Sequence, residues 1–345
     1  MLEKFLAFIF PLLIIITNYF FKKKNILCSF TGDSHQKFAN EHNVPLTGGL
    51  FIYIFFFLFL FNELLNFQIF IFLIFIIGIS SDLNLIRSPE KRFLLQIVVV
   101  VLSVFFNNLT IQNTGVDLLD YILKNNYINY FFVSFCILII VNGLNFLDGL
   151  NTLAIGYFSI ILLVIVKLNY FGYLNLDVNK IYFIILFFIF IFFCNLFNKM
   201  FMGDSGSYLL GFIISLFLVI IYSKNSSISS FFIVLLLWYP SFENLFSLIR
   251  KSSKNRSPLS PDKNHLHQLF FYFISKKIKK NKTFVNSFSS VILNFYNFII
   301  FLIASNYIYS SQIQIILIIL NILVYLIVYL KLFNFKYGKY LKKII

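Results

Sequence analysis

Eleven apolar runs dominate the chain, near residues 5–21, 46–61, 67–81, 93–107, 129–143, 152–168, 181–197, 207–222, 229–248, 288–307 and 313–333. A helix needs roughly 20 residues to cross the hydrocarbon core of a bilayer. The runs approach that length and follow one another through short polar segments. The expectation is an all-α polytopic membrane protein with about eleven transmembrane helices, forming one domain over residues 1–345. Composition agrees: 60% of the residues are hydrophobic and only 12% are charged. A soluble domain carries about 25% charged residues, so a water-facing surface is excluded. The 50 Phe residues accompany abundant Ile, Asn and Lys, which reads as a composition bias without functional content.

The net charge of +15 would suggest nucleic acid in a soluble protein. In a membrane protein it is read by position, and no nucleic-acid partner is expected. Eleven spans put alternate loops on opposite faces. One face receives segments 22–45, 82–92, 144–151, 198–206 and 249–287 and the tail from 331. These hold 23 of the 28 Lys and Arg residues. Basic residues collect on the cytoplasmic side and against anionic lipid. This face is therefore expected to be cytoplasmic, with the N-terminus outside and the C-terminus inside. The first run ends in Lys22-Lys23-Lys24 rather than a small-residue cleavage site, so it reads as a retained span. Cys28, Cys136 and Cys194 lack disulfide or metal spacing.

Unusual polar chemistry falls on that same face. Between two apolar runs lies Phe201-Met202-Gly203-Asp204-Ser205-Gly206-Ser207. An ionisable residue at the end of a span usually marks function. Asp204 offers the hard oxygen that Mg²⁺ prefers, and the glycines let backbone approach an anionic ligand. The plain alternative is a tight turn with one solvated Asp. Asn142, Asn145 and Asp148 stand at i, i+3 and i+6, so a helix puts them on one face. Such groups, when buried, must be paired by protein, water or ligand. Asp82 sits at the mouth of the third run, before Pro89, Lys91 and Arg92. The two basic residues suit either lipid headgroups or a phosphate. Gly48 and Gly49 permit close backbone approach or close helix packing. His35 and His42 precede them in the same loop.

The longest loop carries Arg256-Ser-Pro-Leu-Ser-Pro-Asp-Lys-Asn-His265-Leu-His267. The two histidines alternate, so they are expected to face apart in either an extended or a helical segment. Contacts to phosphate or sugar hydroxyls suit them better than a shared metal. Lys276 to Lys282 reads as a solvated, lipid-facing basic run. Glu243, inside the ninth run, is expected to pair with Arg250, seven residues on. Asp82, Asp148, Asp204 and the Arg256–His267 loop together describe a phosphoryl-transfer site, where catalysis is chiefly positioning and charge neutralisation.

At these residues the chain resembles the polyprenyl-phosphate N-acetylhexosamine-1-phosphate transferases, glycosyltransferase family 4. The matching pieces are Pro45–Gly49, Gly78–Gln96, Asn142–Ala154, Lys199–Gly211 and Ser257–Phe270. The last piece resembles the sugar-transferase branch more than phospho-MurNAc-pentapeptide translocase. The resemblance implies transfer of N-acetylhexosamine 1-phosphate from a UDP-sugar to polyprenyl (undecaprenyl) phosphate, with release of UMP, as the first membrane step of a bacterial surface glycan. It implies catalytic roles for Asp82, Asp148 and Asp204, and Mg²⁺ (or Mn²⁺) on Asp204 with Asp82. It implies nucleotide contacts from Asn145, Asn151 and Phe201. Phosphate or sugar contacts fall to Lys91, Arg92, Lys199, Arg256, His265 and His267. It places the enzyme in the cytoplasmic (inner) membrane, active on the cytoplasmic face, and is compatible with a homodimer. Two departures stand out. The family's acidic pair is Ser81-Asp82 here, and its Asp-Gly-Leu-Asp is Asp148-Gly149-Leu150-Asn151. Three alternatives stay open: a translocase-like enzyme, a membrane transporter and an inactive homologue. A transporter would place polar groups near the midplane in broken helices, and no self-similarity between halves supports one.

Overall fold

The computed structural model describes residues 2–28, 44–59, 62–225, 227–253, 255, 257, 262 and 264–341. The described residues form helices and contain no strand. In chain order these are α1 (Leu2–Lys24), α2 (Gly48–Phe59), α3 (Gln68–Asp82), α4 (Pro89–Phe106), α5 (Asp117–Leu123), α6 (Asn126–Leu147) and α7 (Leu153–Tyr170). There follow α8 (Val178–Leu196), α9 (Gly203–Lys224), α10 (Ser230–Leu236), α11 (Trp238–Ser252), α12 (Leu266–Lys277), α13 (Lys282–Ala304) and α14 (Ser311–Leu341).

Among the described residues, each of the eleven apolar runs overlaps a helix, and the ninth overlaps two. Among the described residues, seven helices are long and apolar enough to cross a membrane. The α10–α11 pair makes an eighth if counted as one span. The chain is thus an all-helical, multi-pass membrane protein.

The ninth run, expected as one straight span, is instead bent by 72° between α10 and α11. Pro240 supplies the reason. It has no N–H to give the Leu236 carbonyl four residues back. That carbonyl is satisfied from another helix, by the Tyr157 hydroxyl at 2.9 Å. A break at membrane depth is tolerated when a neighbour re-satisfies the freed group.

Helix α9 is the centre of the bundle. The whole of its most apolar 18-residue stretch is buried. Small residues let its neighbours close in. At Gly211 a Cβ would stand 2.6 Å from the Val141 Cα of α6, and at Gly78 of α3 it would overlap Ser205.

The outer helices invert the soluble pattern. In α13, Asn286, Ser290, Asn294 and Asn297 are buried while Phe295 and Ile299 are exposed. Lipid makes the outward apolar face costless, whereas polar groups must find partners inside.

Phe201 N–H donates to the Pro45 carbonyl at 2.9 Å, and Leu46 N–H to the Leu27 carbonyl at 2.9 Å. With the contacts described below, residues 27–28 and 44–49 and the segments near residues 82, 148, 201 and 265 meet at one end. At the other end Lys167 donates to Ser305 at 2.8 Å and to Asn306 at 2.6 Å.

Candidate active site

The site is built on the N-terminus of α9. The first N–H groups of a helix have no partner within it. Asp82, the last residue of α3, supplies the missing acceptor. Its Oδ1 accepts from Asp204 N–H at 2.8 Å. Its Oδ2 accepts from Ser205 N–H at 3.1 Å and the Ser205 hydroxyl at 2.6 Å. A carboxylate here also meets the positive end of the helix dipole. Gly203 makes the turn at φ +68, and a Cβ there would lie 2.7 Å from Asp82 Oδ2. Both the backbone and the space call for glycine. Gly48 and Gly49 serve the same turn from α2. Gly48 N–H donates to the Phe201 carbonyl at 3.0 Å, and a side chain at Gly49 would overlap Ser205. Of the two readings open for this pair, the structure shows close packing.

Asp204 points the other way. Its side chain is 25% exposed and pairs with Arg92, whose Nη1 reaches Oδ2 at 2.5 Å. The Ser81 hydroxyl donates to the same oxygen at 2.6 Å. Asn145 Nδ2 donates to Oδ1 at 2.8 Å and to Ser207 Oγ at 3.0 Å. Arg92 is delivered by α4, whose start is set by Ser88 accepting from Lys91 N–H and by Pro89 in the first turn. Arg92 also donates to Ser81. Asp148 closes α6, its N–H bonded to the Leu144 carbonyl at 3.1 Å. Burial, then the Asp204 and Asp82 charges, push the half-buried Asp148 carboxyl well above the usual carboxylate range. Asp82, Asp148 and Asp204 therefore share one electrostatic neighbourhood, as three distant sequence segments had suggested.

Other expected contact residues fall around this centre in different ways. Asn151 is buried, donating to Asn198 through its side chain and to Asn286 Oδ1 at 2.8 Å through its N–H. It holds the loop before Thr152, which sits at φ 64. Phe201 is half-buried, and Lys91 and Lys199 are exposed. Arg256 lies outside the described residues.

The histidines do not face apart. Their rings stack at 5.6 Å with an 11° interplanar angle. His265 is extended and His267 already lies in the first turn of α12, and the change of backbone conformation brings both rings to one side. His267 reaches the site, since a Cβ on Gly149 would stand 2.7 Å from its Nε2.

Glu243 does not pair with Arg250 either. It accepts from His265 Nδ1 at 2.9 Å and Tyr325 at 2.9 Å, while Arg250 pairs with Asp262. Arg250 lies seven residues along α11, but its helix turns it toward the 262 loop and α14, where Tyr329 also meets it. Sequence reasoning missed Ser81 as an Asp204 partner, and it missed Tyr325 altogether. A tyrosine in an apolar run of a Phe- and Tyr-rich chain carries no signal of its own.

The donor chemistry fits a magnesium ion in part. Mg²⁺ commonly takes one or two carboxylates and completes its shell with water and substrate phosphate. Asp204, partly exposed, and Asp148 suit that role. Asp82 is more buried than Asp204, and in this arrangement its oxygens accept from the start of α9. No group of three or more His, Cys, Asp and Glu side chains forms a metal cage among the described residues.

A buried central helix in a multi-pass bundle thus holds a carboxylate-rich polar site at its N-terminus. Residues 64–222 match the family model for glycosyl transferase family 4. A probable undecaprenyl-phosphate N-acetylglucosaminyl 1-phosphate transferase of Bacillus subtilis is 29% identical over 211 residues, 59% of this chain and 56% of the relative. An undecaprenyl-phosphate alpha-N-acetylglucosaminyl 1-phosphate transferase of Thermotoga maritima is 36% identical over 85 residues, 25% of this chain and 26% of the relative. A protein of the same description from Escherichia coli O157:H7 is 26% identical over 192 residues, 53% of this chain and 51% of the relative. The chain spans about half the length of these relatives, or less.

Proposed function

We propose that this chain transfers N-acetylglucosamine 1-phosphate from UDP-N-acetylglucosamine to undecaprenyl phosphate and releases UMP, in the cytoplasmic membrane of a bacterium. The observation that carries the reading is the convergence of Asp204, Asp148, Asn145 and Arg92 at the head of α9, within the stretch that matches the glycosyl transferase family 4 model. The relatives' names support the lipid acceptor and the sugar. The basic bias of the loops supports a cytoplasmic site, where a soluble nucleotide sugar and a lipid headgroup meet. The same alternation supports eleven spans in one domain.

The acceptor is a phosphate monoester. Its second pKa is about 6 by analogy with phosphorylated side chains, so it is largely dianionic near neutral pH. An oxygen of that phosphate attacks the β-phosphorus of the donor. The bond from that phosphorus to the bridging oxygen breaks, and UMP leaves with the electron pair. No strong base is required, and the buried Asp82 is left to its capping role. The main barrier is the approach of two anions. Arg92 offers a guanidinium to a phosphate oxygen, and Asn145 holds the Asp204 carboxylate in place. Magnesium on Asp204, with Asp148 beside it, would neutralise charge on the diphosphate. The stacked His265 and His267 brace the edge of the site at Gly149.

Release of UMP from UDP-N-acetylglucosamine by the purified protein, with undecaprenyl phosphate and Mg²⁺, tests the reading. Turnover of UDP-MurNAc-pentapeptide alone would move the chain to the translocase branch. No turnover of either donor would favour an inactive homologue. Orientation is tested by single cysteines at Asn255 and Asn113. Labelling from outside is expected at Asn113 and not at Asn255, and the reverse overturns the topology.

A further inference from the structure

Arg92 occupies the place on Asp204 that a metal would need. Its Nη1 and the Ser81 hydroxyl both meet Oδ2, and Tyr208 approaches the same oxygen at 3.4 Å. The other oxygen faces the Asn145 amide. A carboxylate has about four lone-pair sites, and those of Oδ2 are spoken for. Arg92 forms the one ion pair with Asp204 among the described residues. The guanidinium itself is incompletely satisfied, since its Nε is buried and has no hydrogen-bond partner. A buried donor without an acceptor is unfavourable. A phosphate, with three oxygens, would satisfy Nε and a terminal nitrogen together in the fork geometry that arginine favours.

We infer that Arg92 is the resident cation of Asp204, and that a divalent ion gains this carboxylate as the guanidinium leaves it for an incoming phosphate. Two positive groups on one carboxylate oxygen repel, so each excludes the other in the empty site. The nucleotide's phosphate resolves the conflict by giving Arg92 a second partner. Metal and nucleotide then bind cooperatively through a side-chain exchange, with no movement of helices. The inference rests on the metal role of Asp204 proposed above, and it adds that Arg92 opposes the metal until phosphate arrives.

The test uses the full chain in detergent, with Mn²⁺ as a spectroscopic probe and UDP as the phosphate probe. Electron paramagnetic resonance reads Mn²⁺ affinity without nucleotide. Arg92→Gln should tighten Mn²⁺ about tenfold, the effect of removing a part-buried ion-pair partner. The charge-keeping Arg92→Lys should stay within about twofold of the parent, because the charge does the excluding. Calorimetry with EDTA reads UDP affinity without metal. There Arg92→Gln should weaken UDP and Asp204→Asn, which frees the guanidinium, should strengthen it. The gain from Asp204→Asn should vanish in the Arg92→Gln background, as a double-mutant cycle resolves. Unchanged or weaker Mn²⁺ binding in Arg92→Gln overturns the inference. So does a Lys variant that behaves like Gln, or a UDP gain that persists in the double variant. Retention of Mn²⁺ by Asp204→Asn is a separate failure, that of the metal assignment itself.

Discussion

Two acids at the same end of the bundle, Asp204 and Glu243, each meet a basic side chain, yet they are built oppositely. Glu243 is fully buried. One oxygen takes His265 Nδ1 at 2.9 Å and Leu266 N–H at 3.4 Å, and the other takes the Tyr325 hydroxyl at 2.9 Å. A carboxylate with three donors from two other elements is closed, and it ties α11 to the start of α12 and to α14. Asp204 is a quarter exposed, and its partner Arg92 keeps a buried donor without an acceptor. That cluster is open toward a ligand. Burial with complete pairing makes a structural joint, whereas partial exposure with an unfinished partner makes a reactive site.

The sharpest break of this contrast would come from Asp204→Asn. Loss of the metal-binding charge should lower the rate of UMP release by on the order of a thousandfold, about 4 kcal/mol at roughly 1.4 kcal/mol per tenfold. The unfolding midpoint should hardly move, because the side chain is partly exposed and ends no buried network. A loss below about tenfold would place the chemistry elsewhere. Glu243→Ala should do the reverse. It strands three buried donors, and a buried donor left without an acceptor costs about 1–3 kcal/mol. Thermal unfolding in detergent should therefore shift by several degrees, with a smaller shift for Tyr325→Phe. If Glu243→Ala unfolds like the parent but has lost turnover, the joint is part of the chemistry.

Asp82 lies between the two types, and its variant sharpens the boundary. Asp82→Asn turns an amide against the N–H groups at the head of α9. We expect a loss of about a hundredfold in rate, as the loosened head of α9 moves Asp204 out of place, and about 1 kcal/mol of stability, the size of a lost helix cap. Added Mg²⁺ should not restore it. Rescue by Mg²⁺ in Asp82→Asn and not in Asp204→Asn would exchange the two assignments.

The smallest effect concerns Asp262, at the edge of the closed region. Burial alone would raise its pKa, but the Arg250 hydrogen bond and charge outweigh burial and hold it below the usual range. A depressed folded pKa gives stability that is present above the unfolded value of about 3.9. It is lost as pH falls through the folded value. Asp262→Asn should flatten that acid limb of the unfolding midpoint and leave the midpoint's slope between pH 6 and 8 unchanged.

Much of this site was legible before any coordinates, and the misreadings share one cause. Asp204, Asp148, Asn145 and Arg92 announced themselves as polar residues at the ends of apolar runs. Gly48 and Gly49 announced a close approach without saying to what. The Glu243–Arg250 pairing failed because seven residues along α11 carry Arg250 toward Asp262 and Tyr329. The His265–His267 divergence failed because a helix begins between them. The cap that Asp82 makes for the head of α9 could not be read from its own neighbours in the chain.

The sequence by itself determined that the chain is helical and spans a membrane many times, and that its unusual polar residues lie at the ends of spans. Those properties follow from transfer of side chains out of water and from the demand that backbone groups in lipid be paired within a segment. Both act residue by residue or along one helix, so a linear string carries them. The tertiary structure alone decided which carboxylate caps, which one faces the ligand, and which base each one meets. Hydrogen bonds and ion pairs act over about 3 Å, less than the width of a helix, so their partners depend on how helices distant in sequence rotate and cross. Pro240 shows both levels at once. Its missing N–H was written in the chain, but the Tyr157 hydroxyl that answers the freed Leu236 carbonyl came from packing.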